Sequence, residues 1–87
     1  MSTHIVPTEL YIRRLRVDEA LYLLDQYLND AFMAGHLWVR IVHGKGTGTL
    51  RDAVWEQLGA HPLVSSHRLG DPGEGDAGVT VVQMEQR

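Results

Sequence analysis

His43-Gly44-Lys45-Gly46-Thr47-Gly48-Thr49-Leu50 is a glycine-rich turn between two well-defined patterns. Before it runs His36-Leu37-Trp38-Val39-Arg40-Ile41-Val42, rich in β-branched and aromatic residues; after it, Leu50, Ala53, Val54, Gln57 and Leu58 recur at helical spacing. A strand that feeds a helix through such a turn exposes backbone N–H groups at the positive end of the helix, which suits an anion. Lys45 adds a cation, and His43 adds a group that titrates near neutral pH. A phosphate is the natural ligand. The bland alternative is a sharp chain reversal and nothing more. The spacing is that of neither common phosphate loop: the closing Lys-Ser/Thr pair of a Walker A motif is missing and no G-x-G-x-x-G occurs, so nucleotide hydrolysis is excluded.

Upstream of the turn, Glu9-Leu10-Tyr11-Ile12-Arg13 alternates as a short strand, with Leu10 and Ile12 on one face and Tyr11 and Arg13 on the other. Residues 1–8, with His4 and Pro7, read as a flexible tail. From Val17 to Ala34 a stripe of Ala20, Leu21, Leu24, Tyr27, Leu28, Ala31 and Phe32 predicts an amphipathic helix, with Gly35 placed to end it and His36 at the surface. In the next strand Leu37, Val39, Ile41 and His43 share one side; Trp38, Arg40 and Val42 share the other.

Downstream, the second helix runs to about Leu58 and is stopped by Gly59-Ala60-His61-Pro62, with His61 favouring the negative helix end. Leu63 to Leu69 makes a third strand. The glycine- and proline-rich run 70–78 is a loop without regular structure. Val79-Thr80-Val81-Val82-Gln83-Met84 is apolar enough to lie inside the sheet.

The chain has 87 residues, no cysteine and a net charge of −3, which bounds it to one domain with no disulfide framework or thiolate metal site. The acidic balance argues against indiscriminate coating of nucleic acid. No apolar run is long enough to cross a bilayer and no signal-peptide pattern occurs, so the expectation is the cytoplasm and no membrane partner.

The order strand, helix, strand, helix, strand, strand makes the first three strands parallel, with right-handed crossovers placing both helices on one face of the sheet. The fold class is α/β in element order and an α+β two-layer sandwich in architecture. The carboxyl ends of parallel strands share a rim, which brings together Arg13 and Arg14, the turn from His43 to Gly48, and the 70–78 loop. Such a rim suits a phosphodiester backbone. The sheet face away from the helices, with Tyr11, Trp38 and Arg40, is a platform for a nucleic-acid strand or another protein.

With these segments placed, the chain resembles the Smr domain, the small MutS-related module, in the version found at the carboxyl end of bacterial MutS paralogues of the MutS-two type. His43 to Arg51 matches the family block H-G-K-G-x-G-x-L-R; Pro72-Gly73-Glu74-Gly75 with Gly78-Val79-Thr80 matches P-G-E-G-G-x-G-V-T. Leu10-Tyr11-Ile12-Arg13-Arg14 falls where the family has L-D-L-H-G or L-D-L-R-G, so Tyr11 stands in the place of Asp and Arg14 in that of Gly. The likeness spans about residues 9–85 and implies a domain from 9 to 87.

The resemblance implies a fold like the carboxyl-terminal domain of translation initiation factor three, with strand order 1-2-4-3 and the fourth strand antiparallel. It also implies DNA binding and nicking endonuclease activity on branched or recombination-intermediate DNA, within a larger ATPase chain that can dimerise. On this reading His43 is general acid or base, and Lys45 and Arg13 stabilise charge on the phosphate. Arg14, Arg16 and Arg51, with Gly44, Gly46, Thr47, Gly48 and Glu74, make up the rest of the DNA-binding set. A divalent metal, Mg or Mn, is left open, with Glu74 the candidate among Asp71, Glu74 and Asp76. The alternative, prompted by Tyr11, is a binding or protein-interaction module without chemistry.

Overall fold

A computed structural model describes residues 5–87, so His4 and the residues before it lie outside the description. The elements are β1 (Glu9–Tyr11), α1 (Val17–Met33), β2 (Trp38–Val42), α2 (Thr49–Ala60), β3 (Val64–Leu69), a single 3₁₀ turn (Asp76–Gly78) and β4 (Val79–Met84). The sheet order is β1-β2-β4-β3. β1 and β2 pair in parallel, and β4 is antiparallel to both β2 and β3, so β1, β2 and β3 all point the same way. The common direction of the first three strands and the two-layer architecture are those read from the sequence; the strand order and the antiparallel fourth strand are those the resemblance implied.

The core fills the space between the helices and one sheet face. Leu24, Leu28 and Ala31 of α1 and Val54 and Leu58 of α2 close over Ile12, Val39, Ile41, Val82 and Met84. Each large aliphatic side chain buried there contributes about 1.5–3 kcal/mol, the main stabilising contribution available to so short a chain. The end of α1 is set by Gly35, at φ +80: the His36 N–H reaches the Ala31 carbonyl and the Gly35 N–H reaches that of Phe32, both at 3.0 Å.

Four local readings change. β1 is shorter than 9–13, because after the Ile12 N–H bonds the Val42 carbonyl the chain turns at Arg14, which sits at φ +66. The loop 70–78 is not wholly irregular; it contains the 3₁₀ turn, and Gly75 at φ +109 lets it fold against Val79, where a Cβ would meet Val79 Cγ2 at 2.1 Å. Residues 6–8 are not a free tail. The Tyr27 hydroxyl donates to the Pro7 carbonyl, Val6 packs against the core, and the Arg40 N–H donates to Thr8 at 2.8 Å. His36, expected at the surface, is half-buried and donates through Nε2 to the Val6 carbonyl at 2.7 Å, completing that docking. Burial and the neighbouring Glu9 push the Tyr27 hydroxyl up to about 12, so it remains the donor.

Candidate nucleic-acid interface

The strand ends meet as the topology requires. The start of β4 lies on the same rim as the end of β2, and the Gly78 carbonyl accepts from the N–H groups of both His43 (3.1 Å) and Gly44 (2.9 Å). This ties the root of the glycine turn to the 70–78 loop. Beyond the tie the backbone is open: among the described residues the N–H groups of Lys45, Gly46 and Thr47 have no acceptor. Gly48, at φ +87, then caps α2, a position that costs an L side chain about 1–2 kcal/mol. The Thr47 hydroxyl turns inward to the Thr49 N–H and hydroxyl, so its oxygen serves the turn itself.

Around this turn lies a cleft of about 480 Å³ lined by Arg13, Arg14, Arg16, Lys45, Arg51 and the backbone from His43 to Thr49. Among the described residues no carboxylate lines it. Arg13 lies along Gly44, its Nε 3.2 Å from where a Cβ would be, and the Arg51 guanidinium lies over Gly48 in the same way at 2.7 Å. The two glycines therefore make room for two cations. Arg51 is shared with Asp52 (3.1 Å) and Lys45 with Asp76 (3.2 Å), while Arg13 and Arg14 make no ion pair among the described residues. Exposed pairs of this kind contribute about 0–1 kcal/mol, so an arriving phosphate displaces them readily. Of the residues expected at the rim, those of the 70–78 loop do not line this cleft; Gly73, Glu74, Gly75 and Gly78 line a hollow on the adjoining sheet face.

His43, expected as a proton carrier at the rim, is among the residues lining the cleft, and both of its ring nitrogens are engaged. Its ring is on the helix side of the sheet and only 5 % exposed. Nδ1 lies 2.9 Å from the Gly44 carbonyl, which can only accept, so Nδ1 carries the proton. Nε2 lies 2.7 Å from Thr80 Oγ1, and that hydroxyl accepts in turn from Trp55 Nε1 at 2.9 Å. The chain is therefore Trp55 to Thr80 to His43 to the Gly44 carbonyl, with every donor used. Burial, the largest influence, holds His43 below its ordinary pKa of 6.5, and nearby Arg51 lowers it further against the raising effect of the Gly44 bond. The imidazole is a neutral brace for the first peptide of the turn. Thr80 and Trp55 were not singled out in the sequence; the signal was a hydroxyl in the inward register of an otherwise apolar β4.

The loop carboxylates are committed. Arg68 grips Glu74 through two bonds (2.8 and 3.1 Å) and approaches Asp71 at 3.7 Å; that grip, aided by the Asp71 N–H, holds Glu74 down to about 2. Asp76 in turn is paired with Lys45 at 3.2 Å. No group of three metal-binding side chains occurs among the described residues.

The family model of the Smr domain matches residues 10–85. The chain belongs to the Smr domain family. Relatives of this Smr domain include the endonuclease MutS2 of Thermomicrobium roseum, 56% identical over 80 residues, and that of Pelotomaculum thermopropionicum, 51% identical over 79. These alignments take in 92% and 91% of the chain but 10% of either relative, so the Smr domain spans about a tenth of the curated relatives it matches. The crystal structure of the Smr domain of Thermus thermophilus MutS2 superposes with a TM-score of 0.88 at 44% identity, covering 91% of this chain and 99% of that one. YdaL of Escherichia coli, a stand-alone small MutS-related protein, shares the fold with a TM-score of 0.86 at 24% identity, over 91% of this chain and 65% of its own. No described helix is long and apolar enough to cross a membrane.

Proposed function

We propose that this Smr domain binds DNA through the basic rim and cuts one strand, serving as the nuclease module of a larger MutS-like ATPase. The observation that carries the reading is the cleft itself: among the described residues, Arg13, Arg14, Arg16, Lys45 and Arg51 surround unpaired backbone N–H groups, with no carboxylate in the lining. That arrangement matches a phosphodiester and repels little of it. Relatives named endonuclease MutS2 support the nuclease half of the reading.

In the proposed chemistry, Lys45 and Arg13 neutralise the charge that develops on the phosphate oxygens as water displaces one ester oxygen. Arg14, Arg16 and Arg51 hold the flanking phosphates. His43 acts through position, keeping the Gly44 peptide turned so that the following N–H groups face outward. That the parent protein works on branched or recombination-intermediate DNA in repair, in the cytoplasm and as a homodimer, belongs to the same proposal. A binding module without chemistry is the second reading, favoured by the engagement of both His43 nitrogens and by Tyr11 at the position of the family's Asp.

The deciding experiment is nicking of supercoiled plasmid by purified wild type, Arg13→Ala and Lys45→Ala, each with Mg²⁺, with Mn²⁺ and with chelator. The nuclease reading expects open circles from wild type and a loss of at least tenfold in either variant. Salt-sensitive binding without open circles from any sample leaves the binding module.

A further inference from the structure

The face of the sheet turned away from the helices holds a second concavity, about 570 Å³, that opens into the rim cleft; Arg13, Gly44, Lys45 and Gly46 line both. Unlike the rim it is lined by two carboxylates, Glu9 and Glu74, and by an aromatic side chain, Tyr11, as well as by cations. Tyr11 pairs with Val42 and Val42 with Val79 in the strand register, so the three side chains form one row across β1, β2 and β4 just below the rim. Val42 and Val79, 8 % and 6 % exposed, lie in the lining of the hollow beside the charged side chains of Glu9, Arg13, Arg40, Lys45 and Glu74. Tyr11 is 65 % exposed at one side. Gly73 and Gly75 form the other, and Gly73 has open space where a side chain would stand.

The exposed ring of Tyr11 opposite a glycine wall offers an aromatic face beside the cations Arg13, Arg40 and Lys45. It suits a flat ring. We propose that this slot takes one unpaired base of the DNA strand whose phosphate occupies the rim, stacked on Tyr11. The inference rests on the DNA-binding reading and adds the form of the substrate. The shared residues Arg13 and Lys45 place a backbone position at the mouth of the slot, so one nucleotide can put its phosphate in the cleft and its base in the hollow. Glu74, which also borders the slot, is neutralised by Arg68, and Glu9 by Arg40, so neither carboxylate opposes the strand. A base in intact duplex is paired and stacked on its neighbours and cannot enter; a base at a branch point, nick or single-stranded stretch can. The domain thereby distinguishes unpaired from paired DNA through one side chain that the resemblance to its family does not supply.

The test compares affinities for a fluorescein-labelled oligothymidylate and for a duplex of equal length at one salt concentration, using wild type, Tyr11→Ala, Tyr11→Phe, Trp38→Ala and Lys45→Glu. Trp38 is a half-exposed aromatic residue on the same face but outside the slot. Tyr11→Ala is expected to weaken single-strand binding about tenfold with the duplex unchanged, and Tyr11→Phe to restore it. Trp38→Ala is expected to change neither. Equal single-strand affinity of Tyr11→Ala and wild type, with Lys45→Glu still weakening both ligands, overturns the slot and leaves the rim intact. An equal loss in Trp38→Ala overturns it too, since stacking is then general to the face. Absence of binding to either DNA by wild type removes the slot and the rim together.

Discussion

The rim cleft and the groove between the helices are both hollows in this small surface, and the larger is not the one that fits an anion. The groove between α1 and α2, about 850 Å³, is lined by Leu21, Ala53 and Leu63 with Asp25 and Glu56 at its edges, and is closed by a 2.9 Å bond from His61 to Asp25. His61, expected only to favour a helix end, thus joins the two helices. Among the described residues the rim has five cations, no lining carboxylate and unpaired backbone N–H groups in about half the volume. Size reports where helices fail to fill space; charge and unspent donors report what can bind.

The contrast is broken most directly by reversing charge in one hollow and removing it in the other. Arg13→Glu with Lys45→Glu is expected to cost about 100-fold in DNA affinity and to flatten the salt dependence by about two phosphate contacts. Asp25→Asn with Glu56→Gln is expected to stay within about twofold of wild type. Fluorescence anisotropy over a salt series measures both, and a matching loss in the two pairs would dissolve the distinction.

The next effect separates the brace from the surface. Thr80→Val leaves Trp55 Nε1 without its acceptor and His43 Nε2 without its donor, and is expected to cost about 1–3 kcal/mol in urea unfolding, whereas Thr80→Ser stays near wild type. Smaller still, Arg14→Gly relieves a left-handed residue and is expected to raise stability by about 1 kcal/mol while weakening DNA binding. Stability and binding moving together would place Arg14 outside the interface.

The smallest expected effect is that of pH. Because folding lowers the His43 pKa, the unfolded chain takes the proton first. The contribution of His43 is therefore whole above its ordinary value of 6.5 and declines as pH falls from there towards the lower folded value, by at most about 1.4 kcal/mol per pH unit. The urea midpoint at pH 5.5 should lie below that at pH 7.5 in wild type, and the difference should shrink in His43→Gln.

Much of this was legible in the chain. The alternation of Leu10 with Tyr11 and of Val39 with Arg40 fixed which face of each strand meets the helices, and the strand–helix order fixed that Arg13 and the glycine turn share an edge. The inward register of His43 was legible too, since it falls in step with Val39 and Ile41. Its consequence was not, because Thr80 and Trp55 approach from β4 and α2 and only their combined geometry uses up both ring nitrogens. The same limit held for Glu74, whose role depends on Arg68 reaching it across the sheet edge. It held also for residues 6–8, which are docked by Tyr27 and His36 from far along the chain.

The sequence by itself determined periodicity, topology and the residue types at the strand ends, because those follow from short-range sterics and the handedness of crossovers. Tertiary structure alone decided which donors and charges remain available. A hydrogen bond or ion pair between distant residues consumes a group's capacity for any other, and only the folded arrangement states which groups are consumed.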